Sequence, residues 1–361
     1  MSWSARVHRV RVPFRVPFRT AAGTWEVRES WLLRLAAEDG RVGWGEAVLE
    51  QQVDRPVLKA LFDELVATGL APSAALVDRA GIAGRAFRAA LDGARLDLVR
   101  PGPGQRPASP PTIGVNATIP AEAMAATVEA AELAVAAGFR TLKLKAGKGD
   151  TTATLVERVG AVRAAVGDDI ALRLDVNGTW GLEEAATRLR ALAGFALQYV
   201  EQPLAPGALA KAAALRGRVG VAIAADEAIT SLAAAHTVVD AGAADVLVVK
   251  PSRVGGPVVV GEIAMLAAER GVPVVISSLF ETGVGLATGL ACAMALPDVP
   301  GWSAADRDHG LATSDLLRDD LLVAPLVVKS GRMRAPGGPR SGGLGVAVDE
   351  SVVHWYEVPE A

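Results

Sequence analysis

Several short apolar stretches of this chain end in charged residues whose types and spacing suit chemistry. Leu142-Lys143-Leu144-Lys145 carries two lysines two positions apart, and Leu174-Asp175-Val176-Asn177 spaces an acid and an amide in the same way. In an extended segment such residues point to one side. Glu201, Asp226 with Glu227, and Lys250 close three further stretches. The three carboxylates Asp175, Glu201 and Asp226 would offer oxygen ligands to Mg²⁺, a hard cation that keeps open positions for water and substrate, with Mn²⁺ as a substitute. A metal so held polarises a substrate carboxylate and stabilises the charge left when the neighbouring proton is removed. A lysine serves as base near neutral pH when desolvation or another cation depresses its pKa. Lys143 beside Lys145, with a metal nearby, supplies such a cation. The chemistry implied is proton abstraction α to a carboxylate.

Taken singly, an acid at a strand end is usually a helix cap or a solvated loop residue. The repeat in which these charges sit changes that reading. Eight β-branched or apolar runs occur, at 112–117, 141–145, 171–175, 197–201, 221–226, 245–250, 273–277 and 302–306. The successive ends Lys145, Asp175, Glu201, Asp226, Lys250 and Ser277 lie 24 to 30 residues apart, the length of one strand, one helix and two short loops. The segments between are Ala-rich; residues 120–138, for instance, open with Pro and Glu and close on Gly, the expected asymmetry of helix ends. The fold class predicted is therefore α/β, a (β/α)₈ TIM-like barrel, whose active sites sit at the C-terminal ends of the strands. There, acids from strands three, four and five would converge, flanked by lysines from strands two and six. A doubly wound sheet would need a phosphate-binding turn after its first strand, and Gly283, Gly285 and Gly289 have the wrong spacing and context for one.

The Pro/Gly-rich stretch 101–111 marks a boundary. Residues 1–110 alternate apolar and polar positions and then turn helical, which predicts an α+β capping domain; 111–318 form the barrel, and 319–361 return to the cap. Residues 7–16 read as an edge strand rather than a transit peptide despite five arginines before Glu26.

Composition narrows the function. Of 361 residues, 37 are Lys or Arg and 40 are Asp or Glu, with a net charge of −3, so no basic nucleic-acid footprint is expected. A single cysteine, Cys292, excludes a disulfide framework and a multi-cysteine zinc site. The four histidines, His8, His236, His309 and His354, are scattered without ligand spacing, so carboxylates are expected to hold any metal. The most apolar stretch, 272–296, is interrupted by Glu281 and several small polar residues, which argues against a membrane span. A cytoplasmic enzyme acting on a small-molecule carboxylate is expected, with homo-oligomerisation left open.

With these residues assembled, the sequence resembles the enolase superfamily, in its muconate-lactonizing subgroup, along essentially its whole length. The resemblance is carried by a cap segment at 17–47, LKLK at 142–145, RLDVNGTW at 173–180, VEQPL at 200–204, ADEAI at 225–229, DVLVVKPSRVGG at 245–256 and SSLFETGVG at 277–285. Within the subgroup, the Gly23-Thr24-Trp25 loop, SSLFETGVG and HGLATSDLL at 309–317 are most similar to the o-succinylbenzoate synthases of menaquinone biosynthesis.

That resemblance implies that Asp175, Glu201 and Asp226 bind Mg²⁺, supported by Asn177 and Glu227. It implies Lys145 as the base that takes the α-proton of 2-succinyl-6-hydroxy-2,4-cyclohexadiene-1-carboxylate and returns it to the departing hydroxyl. Lys250 would stabilise the enediolate and Lys143 would tune Lys145. The loop 19–27, with Trp25, would cover the substrate, and Ser277, Ser278 and Glu281 would lie where its carboxylates arrive, Glu281 being an ill-suited partner for an anion. N-acylamino-acid racemisation, dipeptide epimerisation and muconate cycloisomerisation are alternatives within the subgroup. A non-catalytic ligand-binding barrel is the alternative outside it.

Overall fold

A computed structural model of the chain describes residues 3–20, 23–50, 52–99, 111–147, 149–336 and 343–359. The chain opens with three antiparallel strands, β1 (Trp3–Thr20), β2 (Gly23–Ala37) and β3 (Val42–Val48), paired in the order β1-β2-β3. The arginine-rich start is thus an edge strand, as its alternation predicts. Helices α1 (Arg55–Thr68), α2 (Ala74–Arg79) and α3 (Gly81–Leu98) follow. One face of β2, with Trp31, Leu33 and Leu35, joins Leu58, Phe62, Phe87 and Leu91 of the helices in a core of its own. The expected linker, 101–111, lies outside the described residues except for Pro111.

Two short strands come next, β4 (Thr112–Val115) and β5 (Ala117–Ile119). Then strands and helices alternate: α4 (Met124–Ala136), β6 (Thr141–Lys145), α5 (Thr152–Val166), β7 (Ala171–Asp175), α6 (Leu182–Ala191), β8 (Leu197–Glu201), α7 (Leu209–Arg216), β9 (Ile223–Ala225), α8 (Leu232–Asp240), β10 (Val246–Val249), α9 (Pro251–Val254), α10 (Pro257–Glu269), β11 (Val274–Ile276) and α11 (Gly283–Met294). Strands β5 to β11 form a seven-stranded parallel sheet in sequence order. Side chains alternate across it. Leu142, Leu144, Leu172, Leu174 and Val200 pack outward on helix residues such as Leu155, Val159 and Leu189. Their neighbours Lys143, Lys145, Arg173, Asp175, Tyr199 and Glu201 therefore point to the other face.

The ring closes at an eighth position that differs from the expected one. Residues 302–306 are not a strand: Ser303 caps a 3-10 turn at Ala304–Asp306, and Asp298 accepts from the Ser303 hydroxyl and the Ala304 amide. The closing strand is β12 (Asp308–His309), which pairs in parallel with β4, while Ser277 and Gly310 bridge it to the end of β11. The expected first strand is likewise divided at Asn116. Its β4 half also pairs with β14 (Arg332–Arg334), itself joined to β13 (Val328–Lys329), and only β5 belongs to the seven-stranded sheet. Helix α12 (Glu350–Tyr356) ends the chain against β1, where Val10 bridges Glu357. Among the described residues, no helix is long and apolar enough to cross a membrane.

Strand β3 docks the antiparallel sheet from both sides. Glu46, 3% exposed, accepts hydrogen bonds from the Thr282 amide (3.1 Å), the Thr282 hydroxyl (2.7 Å) and the Gly285 amide (2.9 Å), placing a carboxylate at the N-terminus of α11. Gly45 lies directly on α3: a Cβ there would stand 1.9 Å from the Ala90 carbonyl oxygen. Gly45→Ala should therefore destabilise the fold by ~2 kcal/mol or more in urea unfolding, because rigid backbone must move. Gly261→Ala, with no atom within 4 Å of the added methyl and a solvent-facing place in α10, should leave stability unchanged or slightly raised.

Candidate active site

Strand register sets the geometry. Lys145 pairs with Asp175 and Asp175 with Glu201, so three functional side chains stand at one level on three adjacent strands. Asp226 follows directly after β9 and Lys250 directly after β10. Asp175, Glu201 and Asp226 are each 1% exposed. Lys145 Nζ donates to Asp175 Oδ2 at 2.6 Å and to Asn177 Oδ1 at 3.1 Å. Lys143, two residues earlier on the same face, reaches Glu201 Oε1 at 2.9 Å and Asp175 Oδ2 at 3.1 Å. On the other flank, Lys250 Nζ lies 2.5 Å from Asp226 Oδ2. The site thus brings together the three acids and all three lysines singled out from the sequence, with the acids between Lys145 and Lys250.

Burying three carboxylates together has a measurable electrostatic consequence. Burial and the neighbouring Asp175 push Glu201 up to about 7, against the pull of Lys143. Burial alone would also raise Asp175 and Asp226, but cations outweigh it. Lys145 and Lys143 hold Asp175 well below the carboxylate range, and Lys250 and Arg253 do the same for Asp226. Lys143 moves the other way. Despite burial, Glu201 and Asp175 lift it well above an ordinary lysine, so it is a fixed cation touching the same oxygen as Lys145.

The donor set fits Mg²⁺. It is all oxygen, it carries more negative charge than Glu201 can hold fully ionised, and Glu227, raised by burial and Asp226, leaves a buried Oε2 without a partner. Asp175, Glu201 and Asp226 do not bring one oxygen each within 4.8 Å of one another here, so they would have to reorient to share a cation. Asn177 Nδ2 donates to Glu227 Oε1 at 2.9 Å, which ties the two supporting residues together. Asn177 and Gln202 adopt positive φ angles of 51° and 41°, strained for side chains other than glycine. Gln202 Oε1 accepts from the amides of Asp226 (3.0 Å) and Ala228 (3.1 Å), fixing the turn that presents Asp226.

The residues expected around the substrate are placed less uniformly. Trp25 lies within strand β2 rather than in an open loop, edge-on to Phe280 with ring centres 5.8 Å apart and with Arg28 5.3 Å from its ring centre. Ala21 and Ala22 of the same segment lie outside the described residues. Ser277 and Ser278 face the closing strand, with hydroxyls 3.5 Å from the Gly310 oxygen and 2.9 Å from that of Thr313. Glu281 is buried, with one oxygen taken by the Ser252 hydroxyl (2.6 Å) and the other by the Leu279 amide (2.7 Å).

Two participants were not anticipated. Arg253 donates to Asp226 Oδ1 at 2.7 Å and, through Nε, to Glu50 Oε1 at 2.7 Å, so it joins the site to the end of the cap sheet. A sequence signal existed, since Arg253 follows Lys250 by three residues, the spacing that returns to the same side of a helical turn. Arg173, fully buried in the ring, donates to Gln198 (2.7 Å), Asn116 (3.1 Å) and the Asp308 carbonyl (2.8 Å) and lies 4.7 Å from the Tyr199 ring centre. Its position inside LRLD gave no hint of those partners.

Residues 125–352 match the family described as enolase C-terminal domain-like, and residues 2–100 match the mandelate racemase / muconate lactonizing enzyme N-terminal domain. The chain belongs to the mandelate racemase / muconate lactonizing enzyme family of the enolase superfamily. Among curated relatives of this family, an o-succinylbenzoate synthase of Thermobifida fusca is 44% identical over 217 residues, 60% of this chain and 64% of the relative. An o-succinylbenzoate synthase of Mycobacterium ulcerans is 41% identical over 243 residues, 66% of this chain and 69% of the relative. The aligned part thus spans slightly under two thirds of the first relative and slightly more of the second. Among solved structures, the L-Ala-D/L-Glu epimerase of Bacillus subtilis is 25% identical with a TM-score of 0.81 over 96% of this chain and 99% of the epimerase. Muconate lactonizing enzyme of Pseudomonas fluorescens, 24% identical, superposes with a TM-score of 0.83 over 98% of each chain and supports the fold.

The like-charge strain at Glu201 yields a test. Glu201→Gln should melt no lower than the wild type without divalent metal, because it removes the acid that burial and Asp175 disfavour most. The same variant should lose the upward shift in melting temperature that millimolar Mg²⁺ gives the wild type, as read by differential scanning fluorimetry.

Proposed function

We propose that the chain is an o-succinylbenzoate synthase, a Mg²⁺-dependent carbon–oxygen lyase that dehydrates 2-succinyl-6-hydroxy-2,4-cyclohexadiene-1-carboxylate in cytoplasmic menaquinone biosynthesis. The observation that carries this reading is the pair Lys145 and Lys250 on opposite flanks of three buried carboxylates. Asp175, Glu201 and Asp226 would hold the metal, with Asn177 and Glu227 beside them. Bound there, Mg²⁺ would supply Lewis-acid stabilisation of the negative charge that develops on the substrate's carboxylate.

In the reading proposed, Lys145 acts as base in its neutral form and takes the proton α to that carboxylate. Lys143, held protonated by Glu201 and Asp175, is a fixed positive charge on the same Asp175 oxygen that Lys145 touches. Lys250 stays protonated on the opposite flank and offsets the charge on the substrate. Lys145, now an ammonium, returns the proton to the hydroxyl as its carbon–oxygen bond breaks. The bonding pair leaves with water, and the new double bond completes an aromatic ring. Trp25 with Phe280 would form an apolar wall, and Ser277 and Ser278 would supply donors to the substrate. The antiparallel sheet with α1 to α3 serves as the cap, completed by the C-terminal segment.

Racemases and epimerases of the same family would use both lysines as proton donors and acceptors. The relatives 39–44% identical are named o-succinylbenzoate synthases, whereas the epimerase and lactonizing structures are 25% identical or less, which favours dehydration. Assay of the purified protein against the cyclohexadiene carboxylate, N-succinylamino acids, dipeptides and muconate in parallel should give its highest kcat/KM on the first. Lys145→Ala should reduce that value by ~10³-fold or more, and Lys250→Ala should also cripple it. An undiminished Lys145→Ala variant would sink the mechanism. Inactivity on all four substrates would favour a ligand-binding barrel.

A further inference from the structure

His8 in β1 and His354 and Glu357 at the end of α12 stand far apart in sequence, yet the fold brings them together where the C-terminal helix lies on the edge strand. One ring nitrogen from each histidine and a carboxylate oxygen of Glu357 lie within 4.8 Å of one another. His8 Nδ1 is 2.8 Å from Glu357 Oε1, and the two imidazoles meet edge to face with centres 5.5 Å apart. His354 Nδ1 is hydrogen-bonded to the Glu350 carbonyl, one turn back in the same helix. A carbonyl only accepts, so the proton sits on Nδ1 and the Nε2 lone pair of His354 is left available. His8 is 2% exposed, and its Nε2 has no hydrogen-bond partner. A backbone carbonyl on one ring nitrogen with the other nitrogen free, as in His354, is how metal-binding histidines are oriented, and on His8 it is Nδ1 that faces the Glu357 carboxylate.

A simple His8–Glu357 ion pair would explain one of these contacts. It leaves the second imidazole, with its free Nε2 lone pair, without a role. We infer that His8, His354 and Glu357 form a binding site for a first-row transition-metal ion of the Zn²⁺ class, with water completing the coordination on the solvent side. Two imidazoles and one carboxylate suit such ions, whereas the oxygen-only acids at the barrel mouth suit Mg²⁺, so the two sites select different metals. The ion would clip the last helix to β1 across a separation of 349 residues, reinforcing the Val358 amide to Arg9 carbonyl bond (2.9 Å) beside it. Closing so long a loop is where a clip restricts the unfolded chain most.

The test uses the full-length protein with Mg²⁺ in saturating excess, so that the barrel-mouth acids are occupied, and Zn²⁺ alone as the added probe. Calorimetry should show one equivalent bound, with a rise in melting temperature, and Co²⁺ in its place should give visible d–d absorption. His354→Gln, a change at an exposed position that spares the fold, should weaken Zn²⁺ at least tenfold and abolish both signals. Glu357→Gln should weaken it as well, and turnover without Zn²⁺ should be the same in both variants as in the wild type. Absence of Zn²⁺ binding at 100 μM would overturn the assignment. So would equal binding by the wild type and His354→Gln, which would locate the ion elsewhere on the protein.

Discussion

Three carboxylates sealed into one barrel mouth are the constraint on which the rest of the site depends. Like charges taken out of water repel strongly, and burial disfavours each of them separately. The fold answers with cations drawn from both sides of the acid row: Lys143 and Lys145 from β6, and Lys250 and Arg253 from the turn after β10. Parallel register makes the answer specific, since Lys145, Asp175 and Glu201 share a level across neighbouring strands. A shift of one residue would send the lysines into the apolar layer with Leu142 and Leu144. The compensation remains incomplete at Glu201, which burial and Asp175 together lift to about 7. That residual strain is what the Mg²⁺ ion of the proposed function would relieve.

The same alternation governs the interior below the acids. Arg173 occupies the inward position before Asp175 and lies over Tyr199, whose hydroxyl burial pushes up to about 12. Its other bonds run to Asn116 and to the carbonyl of Asp308, on either side of the seam where the ring closes. His309 completes the seam. Burial, with Arg173 and Arg307 nearby, lowers it to about 3, so it remains neutral and accepts the Ile276 amide at 3.0 Å. The seam therefore adds polar bonds from buried side chains to its short backbone pairings, where the other strand pairs rely on backbone ladders between apolar runs.

That difference explains what could be read in advance. The strands from Thr141 to Ile276 declare themselves through β-branched runs recurring at the length of a strand–helix unit, and their terminal charges are fixed by the local alternation of two residues. Lys143, Lys145, Asp175, Glu201, Asp226 and Lys250 were legible for that reason. The eighth strand was not, because Asp308–His309 has no apolar run and owes its extended pairing to Arg173, Asn116 and Ile276, all distant in sequence. The apolar run before it, near Trp302, is instead turned by Ser303 and Asp298. The break at Asn116 between two sheets has the same origin. The histidines show the same limit: His8 and His354 lie far apart along the chain, and only the return of the C-terminal helix to β1 makes them neighbours.

The antiparallel sheet is tied to the barrel by charges rather than by apolar contact alone, and this couples its position to the chemistry. Glu46 sits on the amides that open α11, and four residues later Glu50 holds Arg253. Arg253 in turn holds Asp226 through Nη1. One guanidinium thus spans the cap and the acid row, and both of its carboxylate partners lie at the ends of apolar segments that cannot slide without exposing their cores. Displacing the sheet by the length of a hydrogen bond would loosen Arg253 from Glu50 and change the cationic field at Asp226 and, through Lys250 on its other oxygen, at the far flank of the site. The strand that carries Trp25 belongs to the same sheet as Glu46, so a movement that parts Trp25 from Phe280 cannot leave the bonds of Glu46 to α11 unchanged.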